Sequence, residues 1–325
     1  MLYPAVPVSR SRRTSPRCAV PGGRAAQATA PGRRGLQICL GLAWLLDAAL
    51  QYQPFMFRPS FVTQVIEPAA AGNPFVVASS VTWASHVMLH HIAVYNAVFA
   101  TLQLLIAAGF FFRRTLKAAL AASIVWALFI WWFGESLGGI LTGASPLAGV
   151  PGGVVLYALI AVLLWPARPP AHQPICPATA GPLGATGARL LWLALWGGFS
   201  YYFLLPASRS PAAIGQIFLV TDGQPGWITS IMSELSRLAG DRGTEISVVL
   251  AALCALVALG VFAPPVIRPA LVAAAALGLL FWIAEGLGGI FTGQGTDPST
   301  GPLLVLLAAC FWPRPRPDGQ QPRHL

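Results

Sequence analysis

Long apolar runs, separated by short clusters of arginine, proline and glycine, make up most of this chain. The first run covers about Leu36 to Gln53. A less hydrophobic stretch from Pro54 to about His86 follows, broken by Pro54, Pro59, Pro68 and Asn73–Pro74. It contains no piece able to span a bilayer. Further runs cover about Met88–Phe112, Leu116–Leu141 and Val154–Trp165, with a basic turn at Arg113, Arg114 and Lys117. After a Pro/Ala/Gly-rich stretch the order restarts: Arg189–Pro206, an excursion over Ala207–Thr244, then Glu245–Ala263, Leu271–Phe291 and Leu303–Trp312.

The two series match in detail. Trp132–Gly143 reads WFGESLGGILTG and Trp282–Gly293 reads WIAEGLGGIFTG, and Glu135 and Glu285 are 150 positions apart. Asn73–Pro74 corresponds to Gln224–Pro225, and each series closes on Trp-Pro, at Trp165–Pro166 and Trp312–Pro313. A repeat this long means a duplicated unit rather than a solenoid. The pattern predicts an all-α integral membrane protein of about eight transmembrane helices, arranged as two parallel four-helix repeats. The expected divisions are a disordered basic tail (1–34), a first repeat (35–166), a linker (167–187), a second repeat (188–313) and a polar tail (314–325). The fourth and eighth runs are short for a span, which needs roughly 20 residues. A re-entrant path is the alternative for these two.

Composition agrees. Of 325 residues, 56% are hydrophobic and 9% charged, against roughly 25% charged in soluble domains. Such a chain cannot cover a water-facing surface. The net charge of +10 does not read as nucleic-acid binding, because the basic residues lie in tails and short loops instead of along one folded face. Only Arg58, Arg209, Arg237 and Arg242 fall in the segments assigned outside, so both termini are expected in the cytoplasm. The axis relating the repeats then lies along the membrane normal. Lys117 is the only lysine, and Ala, Gly and Pro abound. That bias fits a GC-rich bacterium and makes its plasma membrane the expected location, with lipid and a membrane-protein partner as the expected company.

Three acids lie within apolar runs: Asp47, Glu135 and Glu285. A carboxylate in hydrocarbon costs ~2.5–3.5 kcal/mol on insertion scales, so it faces protein or water. Lys117 to Glu135 is ~27 Å of helix, which puts Glu135 near the outer boundary. Read as helix, Gly138, Gly139 and Gly143, and likewise Gly288, Gly289 and Gly293, form small-residue faces for close helix packing. Each Glu is either a hydrogen-bond acceptor locking a helix seam or a proton- or ligand-handling acid. Asp47, mid-helix in WLLDAALQYQP with Gln51 one turn on, is either paired or faces a wet cavity. Its counterpart in the second repeat falls on an apolar residue near Leu195.

His86 and His90 are spaced i, i+4, which suits two imidazoles on one metal or one on a haem, although no Cys, Glu or Asp lies nearby in sequence. The five cysteines form no CxxC and suggest no disulfide framework. Walker, dinucleotide, nucleophile-elbow and HExxH motifs are all missing from the sequence. The expected protein is thus a non-enzymatic membrane protein: a small-solute or proton-coupled transporter, or an accessory subunit. A purely structural role is the plainer alternative.

The unit resembles the DoxX-like membrane superfamily. The resemblance rests on WLLDAALQYQPF (Trp44–Phe55), the long outer excursion, FFRRTLKAALAAS (Phe111–Ser123) and the Glu-x-Leu-Gly-Gly ending of the third run. It implies four-helix units, some linked in that superfamily to quinone-dependent redox or sulfur metabolism. Quinone or haem is therefore the alternative to the expectation of no cofactor. No catalytic residue of that superfamily maps onto this sequence.

Overall fold

The computed structural model describes residues 32–166, 176–219 and 223–313. Residues 1–31 of the first tail, 167–175 of the linker and the whole of 314–325 lie outside them, and the first helix begins at Arg33, inside the segment expected to be tail. All regular structure among the described residues is helical. The longer helices of the first half are α1 (Arg33–Gln51), α2 (Phe75–His90), α3 (Ile92–Phe111), α4 (Leu116–Phe133) and α5 (Gly153–Leu163). Those of the second half are α6 (Gly184–Phe203), α7 (Gly226–Ala239), α8 (Gly243–Gly260), α9 (Ile267–Ala284) and α10 (Thr300–Cys310).

Four of these, α3, α4, α8 and α9, are long and apolar enough to cross a membrane. At ~1.5 Å per residue their 18 to 20 residues reach ~27–30 Å, the thickness of a hydrocarbon core. Their outward faces carry Leu105, Val125, Leu256 and Val272, each more than half exposed. Water would penalise such a surface and lipid would not.

The excursions hold helices that the hydrophobic pattern does not announce. α2 begins after Pro74 and α7 after Pro225, so the two X-Pro pairs mark the same event in each half. The run read from about Met88 is two helices. His91, at φ −146° and ψ 50°, breaks the chain between α2 and α3. Residues 54–57 form one 3-10 turn and 59–69 a short helix with a π-helical middle, packed under α2, where Met56, Phe61, Val62, Val77 and Val81 form a small separate core.

The short fourth and eighth runs become α5 and α10, 11 residues each, or ~16 Å of helix. As helices they are too short to cross a hydrocarbon core of about 30 Å. α5 packs on α4, α10 on α9, and α5 and α10 pack on each other beside α1. One continuous core joins the halves here and includes Trp44, Tyr157, Trp196, Phe281 and Leu304.

The ends of several helices meet on one side of the bundle. Arg33 at the start of α1 donates to the carbonyl of Pro177 in the linker, and Arg34 to that of Phe111 at the end of α3. Gln37 donates to the carbonyl of Leu164, just past α5. α6 starts at Gly184, a few residues before the expected boundary at 188, and Cys176 and Ala178 of the linker are buried.

Candidate acid site between the halves

The chain leaves α4 at Gly134, where two amides, of Gly134 and Glu135, converge on the carbonyl of Ile130. A tight turn follows in which Leu137 and Gly138 are left-handed. The second half repeats it at Leu287 and Gly288. This corrects the reading of the six glycines. Gly138, Gly139, Gly143, Gly288, Gly289 and Gly293 all have positive φ, so they build turns and do not form helix-packing faces. The close packing of helices falls to other glycines. A Cβ on Gly41 would lie 2.6 Å from that of Phe110, and one on Gly301 would overlap Trp282.

Each turn aims its Glu at the start of a short helix. Glu135 Oε1 accepts from the Val154 amide at 3.2 Å, and Glu285 Oε2 accepts from the Thr300 amide at 3.1 Å. The first amides of a helix have no partner within it and carry partial positive charge, so a carboxylate there satisfies both needs. Both acids lie just past their helices, as the first residues of the turns.

The two sites then diverge. The Ser299 and Thr300 hydroxyls also donate to Glu285, which leaves that carboxylate well supplied. In the first half the corresponding residues before Val154 are Gly152 and Gly153, which have no hydroxyls. Glu135 Oε2 is sealed from solvent; the Gly153 amide lies near the carboxylate, but no donor meets Oε2 with hydrogen-bond geometry. It lies against Gly152, where a Cβ would overlap it. Trp131 fixes this loop by donating to the Pro151 carbonyl at 2.7 Å.

Asp297 enters from the second half. A Cβ on Gly153 would lie 3.0 Å from its Oδ1, so only the missing side chain lets the carboxylate approach. Asp297 also accepts from the Ser299 amide at 2.5 Å and from the Thr296 hydroxyl at 3.0 Å. When ionised, it repels Asp47 and Glu135, and Glu285 least of the three. The loop before α5 also comes up to the acid of the second half, since a Cβ on Gly149 would lie 4.0 Å from the carboxyl of Glu285.

Asp47 sits in the buried face of α1, 2% exposed, and Tyr157 of α5 donates to its Oδ1 at 2.6 Å. Oδ1 is thus paired with the Tyr157 hydroxyl. When the ends of α1 and α6 are matched, Asp47 falls on Phe199, apolar as expected but four positions on from Leu195. None of Asp47, Glu135, Glu285 and Asp297 has a basic group within 4.0 Å among the described residues.

The structure therefore joins the three acids picked from sequence and adds Asp297, Tyr157, Ser299 and Thr300. Asp297 escaped notice because it lies in a polar loop, GQGTDPST, and not in an apolar run. The Asp-Pro-Ser-Thr sequence directly before the last helix was the available signal, since such residues gather at helix starts.

His86 and His90 do share one face of α2, and both are exposed. No cluster of three or more His, Cys, Asp or Glu able to hold a metal occurs among the described residues, so the pair has no third ligand. An apolar groove along α3, lined by Ala93, Ala97, Thr101 and Leu105, is on the outward face and contains none of the candidate residues.

No protein family, curated protein or solved structure matches this chain.

Proposed function

We propose that the chain is a multi-pass protein of a bacterial plasma membrane, formed by duplication of a four-helix unit, that moves protons coupled to a small solute. The reading rests on one observation. Asp297 of the second half reaches Gly153 of the first, Glu135 Oε2 lies without a partner against the adjacent Gly152, and among the described residues no base neutralises either acid. Carboxylates taken out of water carry a large desolvation penalty unless they are compensated. Uptake of positive charge relieves it, and a proton is the smallest such charge. The site lies where two short helices begin, the kind of place where transporters hold ions and substrates. Glu285, with its donors in place, supports the structure, whereas Glu135 and Asp297 do the proton handling.

The test is proton flux into proteoliposomes containing a pH-sensitive dye. Glu135→Gln and Asp297→Asn are each expected to cut flux at least tenfold, while Glu234→Gln, on the exposed face of α7, leaves it unchanged. Unaltered flux in both site variants removes these acids from the mechanism. The redox alternative has less support, because His86 and His90 are exposed and lack a third ligand.

A further inference from the structure

Besides the acid site, the first half has a polar seam that the second half lacks. Asp47 and Gln51 lie on the buried face of α1, and Asn96 and Gln103 lie on the buried face of α3. Gln51 and Asn96 bond to each other, the Asn96 amide also donating to the Gln51 carbonyl at 2.9 Å. Gly41 meets Ala107 and Phe110 further along, so α1 and α3 run antiparallel. That register places Gln103 level with the turn of α1 that runs from Trp44 to Ala48 and contains Asp47.

Gln103 is 5% exposed, and its Oε1 has no hydrogen-bond partner. A buried, unmatched acceptor costs about 1–3 kcal/mol. In native structures it is usually met by a water, which brings two donors. When the ends of α1 and α6 and the starts of α3 and α8 are matched, the second half places Phe199, Phe203, Ser247 and Cys254 at these four positions. All four are buried, and Ser247 is satisfied by the Ser208 carbonyl. At these four positions the seam is therefore aromatic with its one hydroxyl satisfied in the second half, and amide-lined with an open acceptor in the first; the unpartnered polar atoms of the second half, Trp196 Nε1 and Ser208 Oγ, lie outside the four.

We infer that the α1–α3 seam of the first half holds water between Gln103 and Asp47 and is the route by which protons reach the acid site, while the equivalent seam of the second half is dry. The inference rests on the proton-handling reading for its function but not for its hydration. Tyr157 completes the path, since its hydroxyl joins Asp47 to α5, whose first turn Glu135 caps.

Cys254 gives an internal control, because it occupies the position equivalent to Gln103. In protein with the other four cysteines changed to serine and reconstituted in liposomes, Gln103→Cys is expected to react with a small methanethiosulfonate ethylammonium reagent at least tenfold faster than Cys254. Equal rates overturn the wet seam. Should Gln103→Cys fail to fold, Gln103→Leu keeps the question open to test. It fills the seam and is expected to cut proton flux at least tenfold, while Cys254→Leu does not. Wild-type flux in Gln103→Leu overturns the route. Absence of flux from the wild-type protein sinks both the transport reading and the route, and the labelling contrast then still decides whether the seam is wet.

Discussion

Tyr157 donates to Asp47 at 2.6 Å where α5 packs against α1, and its ring lies 4.4 Å from that of Trp44. The hydroxyl is the partner that makes a carboxylate tolerable in the middle of an apolar helix. Tyr157→Phe keeps the ring and removes the donor. It is expected to cost about 1–3 kcal/mol, the penalty for a buried group stripped of its partner. A thermal melt in detergent reads the loss. Asp47→Leu with Tyr157→Phe should recover much of it, because removing both partners is far cheaper than removing one.

The two glutamates should separate in the same assay. Glu285 faces two hydroxyls and an amide, all able to donate. Glu285→Gln exchanges a carboxylate held by three charge-assisted bonds for a neutral amide that keeps one acceptor oxygen and obliges a hydroxyl to turn and accept, with an expected cost of about 2 kcal/mol. Glu135→Gln places its amide where Oε2 has no donor to oppose it, and stability should stay within about 0.5 kcal/mol of the parent. Equal losses in the two variants would contradict the asymmetry between the halves.

Gly152 has φ +95°, and a Cβ there would overlap the Glu135 carboxylate. Gly152→Ala therefore meets both backbone strain and a clash, and the expected result is little or no folded protein. Gly197→Ala, in α6 with open space around it, is the matched control and should be neutral or slightly stabilising, as alanine is the better helix former. Size-exclusion profiles of the two purified variants make the comparison.

His86 and His90 are exposed on α2. Their joint replacement by alanine should change stability by no more than about 0.5 kcal/mol. A larger loss, or a visible absorption band of the parent protein that disappears in the variant, would restore the redox alternative.

Much of this protein is written in the order of its residues. The apolar runs marked α3, α4, α8 and α9, and Glu135 and Glu285 stood out because the surrounding sequence recurs at a fixed interval. Helices that face lipid must be apolar all round, so composition alone reveals them. Conformation was harder to read. Gly138 and Gly139 have the spacing of a helix-packing pair, yet the chain turns left-handed at Leu137. No local pattern separates these outcomes, because a glycine serves both. Partners were harder still. Asp297 and Gly153 are far apart in sequence, as are Asp47 and Tyr157, and only the packing of α5 between α1 and α10 brings each pair together. The sequence alone determined the membrane class and three of the acids, Asp47, Glu135 and Glu285, through hydrophobicity and repetition, which are properties of the chain itself. Which carboxylate keeps an oxygen without a partner depends on side chains missing from Gly152 and Gly153 and supplied by Ser299 and Thr300, and contacts between distant segments exist only once the chain has folded.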